Sequence, residues 1–199
     1  AEQPGRLEEM TTIRESQTIQ GVYIAELAAY GDERGRFSEA FRKSWFPQRH
    51  WERIQFNRSE SHAGVVRGLH YHFHQVDYWC VMQGEIRAAL VDIRPDSPTF
   101  RATQIVPMGG DALVGLFIPV GVAHGFAALS PTVLTYVVDN YYDSNDEYGV
   151  AWNDPTLALD WGVTAPQLSA RDRANPLLDD IPLDRLPDMR QSAKRGPDR

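Results

Sequence analysis

Gly64-Val65-Val66-Arg67-Gly68-Leu69-His70-Tyr71-His72-Phe73-His74 is the stretch on which both fold and chemistry turn. Its polar and apolar residues alternate, and a period of two belongs to a β-strand whose faces meet different surroundings. On such a strand His70, His72 and His74 share one face and Leu69, Tyr71 and Phe73 the other, so three imidazoles line one surface. Arg67, just upstream, adds a fixed cation suited to phosphate or carboxylate. Outward from this strand, runs rich in β-branched and aromatic residues lie near 22–29, 36–43, 53–60, 77–83, 85–92, 100–107, 113–118, 124–129 and 132–139. About ten short strands spaced roughly 8 to 12 residues apart predict an all-β antiparallel sandwich or barrel. Helical patterning is confined to 43–50 and to 166–174, where Pro166 is placed to open a helix and Asn175-Pro176 to close it.

The 199 residues suit one domain, 1–199, with a core over 20–180 and polar, loosely held ends at 1–19 and 186–199. Twenty Lys and Arg against 27 Asp and Glu leave a net charge of -7, which argues against a nucleic-acid partner. A single cysteine, Cys80, excludes an intrachain disulfide and reads as a buried thiol in a reducing, cytoplasmic setting. No run approaches the roughly 18 apolar residues of a membrane span, so no membrane association is expected. The acidic stretch Asp143-Ser144-Asn145-Asp146-Glu147 reads as a solvated turn, because Tyr148 stands where a calcium loop requires glycine.

Two chemistries compete for the histidine strand. Neutral imidazoles two residues apart can share one metal ion with a carboxylate and a further histidine. Gly64, His70-x-His72, Asp77 and Gly84, followed by Pro119-Val120-Gly121-Val122-Ala123-His124, resemble the two cupin metal motifs and offer His70, His72, Asp77 and His124 as ligands. Alternatively, one histidine removes a proton beside a carbonyl, because its pKa lies near neutrality.

From about Tyr23 to Leu178 the chain resembles the dTDP-4-dehydrorhamnose 3,5-epimerase family. The matching blocks include Asp32-Glu33-Arg34-Gly35-Arg36-Phe37-Ser38-Glu39, Gln55-Phe56-Asn57, Gly64 to Tyr71, Val91 to Phe100, Ile118 to Phe126, Tyr141-Tyr142 and Trp152-Asn153-Asp154-Pro155. The resemblance implies a cupin-like jelly roll with short accessory helices, working as a homodimer on a dTDP-linked 4-keto-6-deoxyhexose in deoxysugar or rhamnose biosynthesis, with no metal and no other cofactor. It further implies His70 as the base, Asp172 as its partner and Tyr136 as the acid on the opposite face of the sugar. Arg67 and Arg34 would meet the diphosphate, His124 the sugar, Gln55 and Asn57 the pocket, and Phe37 and Glu39 the thymine across a dimer interface. Where the family carries a lysine that stabilises the enolate oxygen, this chain has Asp77; the usual glutamine after His-Tyr is His72, and the following loop is shortened to Phe73-His74-Gln75. A carboxylate opposes an oxyanion. The resemblance therefore leaves a metal-dependent cupin enzyme and a non-catalytic sugar-nucleotide binder as alternatives.

Overall fold

The computed structural model describes residues 10–190. Among these residues the strands are β1 (Thr12–Glu15), β2 (Tyr23–Glu26), β3 (Ala29–Asp32), β4 (Gly35–Ser38), β5 (Gln55–Ser61), β6 (Val66–Tyr71), β7 (Asp77–Gln83), β8 (Glu85–Asp92), β9 (Thr103–Gly109), β10 (Val114–Ile118), β11 (Val122–Ala128), β12 (Thr132–Val138) and β13 (Tyr148–Gly149). They form one sheet in the order β1-β2-β10-β7-β12-β5, a second in the order β13-β6-β11-β8-β9, and a separate β3-β4 hairpin. All the paired strands run antiparallel, as expected for the jelly roll. Pro107 lies on β9, an edge strand, where its missing N–H costs no ladder bond.

Both faces of the central strands are buried, which explains why they read as nearly continuous apolar runs. Trp79, Leu90, Leu116, Phe126 and Leu134 point between the sheets and form the central core. Their neighbours on the same strands point outward. Tyr78, Cys80, Phe117 and Val137 pack beneath Phe46 and Trp51, while Ala89, Val91, Ala123 and Ala127 pack beneath Leu157, Trp161, Leu178 and Leu186. The chain thus covers its own two outer surfaces with segments that are mostly loop. Cys80 is buried, as its run predicts.

Several local expectations are corrected. The run 22–29 divides into β2 and β3, and the strand expected over 36–43 ends at Ser38. The helix expected at 43–50 is one 3-10 turn, Lys43–Trp45, because Pro47 disfavours helical geometry at Phe46, which sits at φ -127° and ψ 68°. Pro166 opens no helix either. Gln167 bridges Val65 instead, and the helix α1 (Ala170–Ala174) starts from a Ser169 cap that accepts from the Asp172 N–H. The loosely held ends lie partly outside the described residues; within them, residues 12–15 form β1 and Leu186 is buried in the outer core, because each finds an apolar surface to cover. The turn at 143–147 is less solvated than expected. Asp146 is buried and accepts the Phe73 and His74 N–H groups at 2.7 and 3.0 Å. No helix among the described residues is long and apolar enough to cross a membrane.

One close approach sets the separation of β6 and β11. Gly68 has φ +119°, and a Cβ added there would lie 2.6 Å from Gly125 Cα and 2.7 Å from the His124 carbonyl oxygen. Gly68→Ala should therefore destabilise the protein by about 1–3 kcal/mol. Thermal unfolding checks this, and an unchanged melting temperature would show that the strands can part freely.

Candidate active site

At one end of the sandwich the space between the sheets opens into a cavity of about 340 Å³. Gln55 and Asn57 of β5, Asp77 and Trp79 of β7 and Tyr136 of β12 form one wall; Arg67 and His70 of β6 and His124 of β11 form the other. Strand alternation accounts for this. Leu69 and Tyr71 join the outer core, which turns His70 inward between them. β6 ends at Tyr71, yet His72 still faces the cavity, because its Nδ1 meets the Asp146 carbonyl oxygen at 2.7 Å. His74 is exposed and lies outside the cavity wall, so the third imidazole there is His124.

His70 Nε2 lies 2.7 Å from Asp172 Oδ1, and Asp172 Oδ2 accepts the Gly68 N–H at 3.3 Å. Burial tends to raise the Asp172 carboxyl, but hydrogen bonds from His70 and Gly68 together with the imidazole charge leave it below its ordinary value. An ionised Asp172 accepts the proton of Nε2. Nδ1, which has no hydrogen-bond partner among the described residues, then carries the lone pair. Tyr136 is half-buried on the opposite wall, and its pKa is raised by burial and then by the negative charges of Asp77 and Glu147. It stays a phenol until a strong base forms beside it.

Asp77, His72 and His124 cluster at the cavity floor. Asp77 Oδ1 accepts from Gln75 Nε2 at 2.9 Å and Oδ2 from Trp79 Nε1 at 3.1 Å. Burial opposes its charge, but the two imidazoles and these two donors outweigh it and hold the carboxyl below its ordinary value. Burial pulls His124 down to about 4 despite the adjacent carboxylate. At neutral pH the imidazole is therefore uncharged, with Nδ1 donating to the Val122 carbonyl at 2.9 Å.

Not every expected residue reaches this cavity. Arg34 pairs with Asp32 at the exposed tip of the β3-β4 hairpin, and Phe37 and Glu39 line a separate groove with Tyr30 and Trp45. Within one chain, then, these three stand apart from His70. Arg67 does line the cavity, holding Ser61 Oγ and the Glu60 carbonyl. Sequence reasoning missed Trp79, Tyr142, Glu147 and Arg171. Trp79 was within reach, since it shares a strand face with Asp77. Glu147 and Arg171, 3.2 Å apart, come together only through tertiary structure.

The dTDP-4-dehydrorhamnose 3,5-epimerase family model matches residues 16–180. The chain belongs to this family. It is an isomerase of the dTDP-sugar epimerase class. Over 162 residues it is 38% identical to a dTDP-4-dehydrorhamnose 3,5-epimerase of Shigella flexneri, a match covering 77% of this chain and 89% of the relative. Its fold is similar to that of the epimerase RmlC from Legionella pneumophila, solved with dTDP-4-keto-L-rhamnose, with a TM-score of 0.79 and 36% identity over 89% of this chain and 98% of the other. It is also similar to ChmJ from Streptomyces bikiniensis, described as a 3'-monoepimerase and solved with dTDP-quinovose; the TM-score is 0.81 and the identity 30%, over 89% and 94% of the two chains.

Proposed function

We propose that this epimerase acts on a dTDP-linked 4-keto-6-deoxyhexose, inverting carbon beside the ketone through an enolate, with His70 as base and Tyr136 as acid. The observation that carries the reading is the placement of these groups on opposite walls of one cavity: the His70–Asp172 pair on β6 and α1, and Tyr136 on β12 of the other sheet. Inversion requires a proton to leave one face of the ring and arrive on the other. Asp172 fixes His70 so that Nδ1 takes the proton, and its negative charge stabilises the imidazolium that results. The substrate's own ketone acidifies the C–H, so this route needs no added cofactor. Arg67 offers a guanidinium to the diphosphate. The hairpin carrying Arg34, Phe37 and Glu39 serves the nucleotide of a partner's cavity in a homodimer.

Incubation with dTDP-4-keto-6-deoxyglucose in heavy water tests the reading. NMR should show deuterium entering beside the ketone, and exchange at one carbon alone would define a mono-epimerase. No exchange at either carbon would leave a binder without catalysis.

Asp77→Lys should not improve turnover on this substrate. A lone ammonium among the same buried imidazoles would displace the Trp79 and Gln75 hydrogen bonds that Asp77 organises. A donor correctly aimed at a developing oxyanion is worth on the order of a hundredfold in rate, so a gain of about tenfold or more would show that Asp77 merely lacks the family's cation.

A further inference from the structure

We propose that His72, Asp77 and His124 bind one divalent transition-metal ion through the Nε2 atoms of the two histidines and a carboxylate oxygen of Asp77. One ligand atom from each of these three buried residues lies within 4.8 Å of the others. His72 Nε2 is 3.9 Å from Asp77 Oδ1, and His124 Nε2 is 3.8 Å from Asp77 Oδ2.

Both imidazoles are held for ligation. Each Nδ1 faces a main-chain carbonyl, of Asp146 for His72 and of Val122 for His124, and a carbonyl only accepts. Nδ1 therefore carries the proton in each neutral ring, which leaves Nε2 with the lone pair; that of His72 faces the Gln75 side-chain amide at 3.4 Å, a contact the ion would replace. Ligating histidines are ordinarily held by an outer hydrogen bond such as these Nδ1 atoms make. Asp77 is fixed in the same manner by Gln75 and Trp79, which leave its oxygens lone pairs to spare.

Two imidazoles and one carboxylate favour an ion of the zinc, cobalt or iron(II) class over magnesium or calcium, which prefer oxygen alone. Bonds of about 2.1 Å place tetrahedral ligands roughly 3.4 Å apart, so the three ligand atoms, which lie within 4.8 Å of one another, draw together around the ion. His70, which the cupin motif would supply, is not among the residues whose ligand atoms converge on Asp77. Three protein ligands leave positions open toward the cavity shared with His70 and Tyr136. There the ion would sit where the family resemblance places a lysine, and a ketone oxygen could approach it. That last step rests on the epimerase reading, whereas binding of the ion does not.

The 199-residue chain, stripped with chelator and titrated with cobalt(II), should take up one equivalent and develop visible absorption bands of nitrogen and oxygen ligation, and zinc should displace the cobalt. His72→Ala, Asp77→Asn and His124→Ala should each weaken binding by about a hundredfold or more, while His74→Ala, at an exposed histidine, should leave it unchanged. If a variant fails to fold, X-ray absorption on the cobalt-loaded wild-type protein decides, since scattering from two imidazoles is required. Uptake below about one tenth of an equivalent, or binding indifferent to all three substitutions, would overturn the proposal. Cobalt binding without deuterium exchange would sink the epimerase reading and leave the site standing.

Discussion

His70→Ala should lower deuterium incorporation into dTDP-4-keto-6-deoxyglucose by about a thousandfold, the usual scale for removing a positioned general base. The loss should come without unfolding, because His70 is partly exposed and its neighbours Leu69 and Tyr71 supply the packing. Asp172→Ala should follow with a fall of about a hundredfold or more, since the ring then loses the acceptor that holds Nε2 and leaves Nδ1 free to act. Circular dichroism melts alongside the exchange assay separate chemistry from stability. Wild-type exchange in a folded His70→Ala variant would remove this histidine from the mechanism and direct attention to Tyr136 or the metal-ligand cluster.

Asp92→Ala should be the most damaging single change to stability, costing about 3–5 kcal/mol. Asp92 and Arg94 are both essentially inaccessible to solvent. Arg94 Nε and one terminal nitrogen each reach a carboxylate oxygen at 2.8 Å, and the Ser97 and Thr99 hydroxyls donate to Oδ2 at 2.6 Å. Truncation would strand a buried guanidinium, and the melting temperature should fall by about 10 °C. The same network makes stability sensitive to acid. Burial acts to raise the Asp92 carboxyl, but these donors outweigh it and hold it below its unfolded value of 3.8. Its contribution is therefore present above about pH 4 and lost as the pH falls through the depressed folded value. Wild-type protein should lose melting temperature over that range more steeply than Asp92→Ala. A change of less than about 1 kcal/mol at neutral pH would show that the site collapses without cost.

The sequence made the sheets legible because strand periodicity is local. β7, β8 and β12 were found almost to the residue, and Leu69 and Tyr71 were correctly assigned to the face opposite His70. What depended on distant partners was less legible. A helix was expected from Pro166, but Gln167 finds a better partner in Val65, and only α1 keeps helical geometry. His74 was grouped with His70 and His72 because alternation was carried past the point where the strand ends. His124, 54 positions along the chain from His70, pairs with it across β6 and β11. Family resemblance singled out Asp172, whose hydrogen bond to His70 no spacing rule would have supplied.

The groups that aim His72 and His124 belong to the main chain. No side-chain replacement deletes a carbonyl, so a substitution scan would read Val122 chiefly as packing and Asp146 chiefly as an acceptor for Phe73 and His74. What can relocate these carbonyls is a change in chain length. One residue added to or taken from the 143–147 turn would carry the Asp146 carbonyl away from His72 and free its ring to rotate, even with every cavity side chain retained. The polar floor of this cavity is thus open to remodelling by insertion and deletion. Divergence within the fold is then written in loop lengths as much as in residue identities.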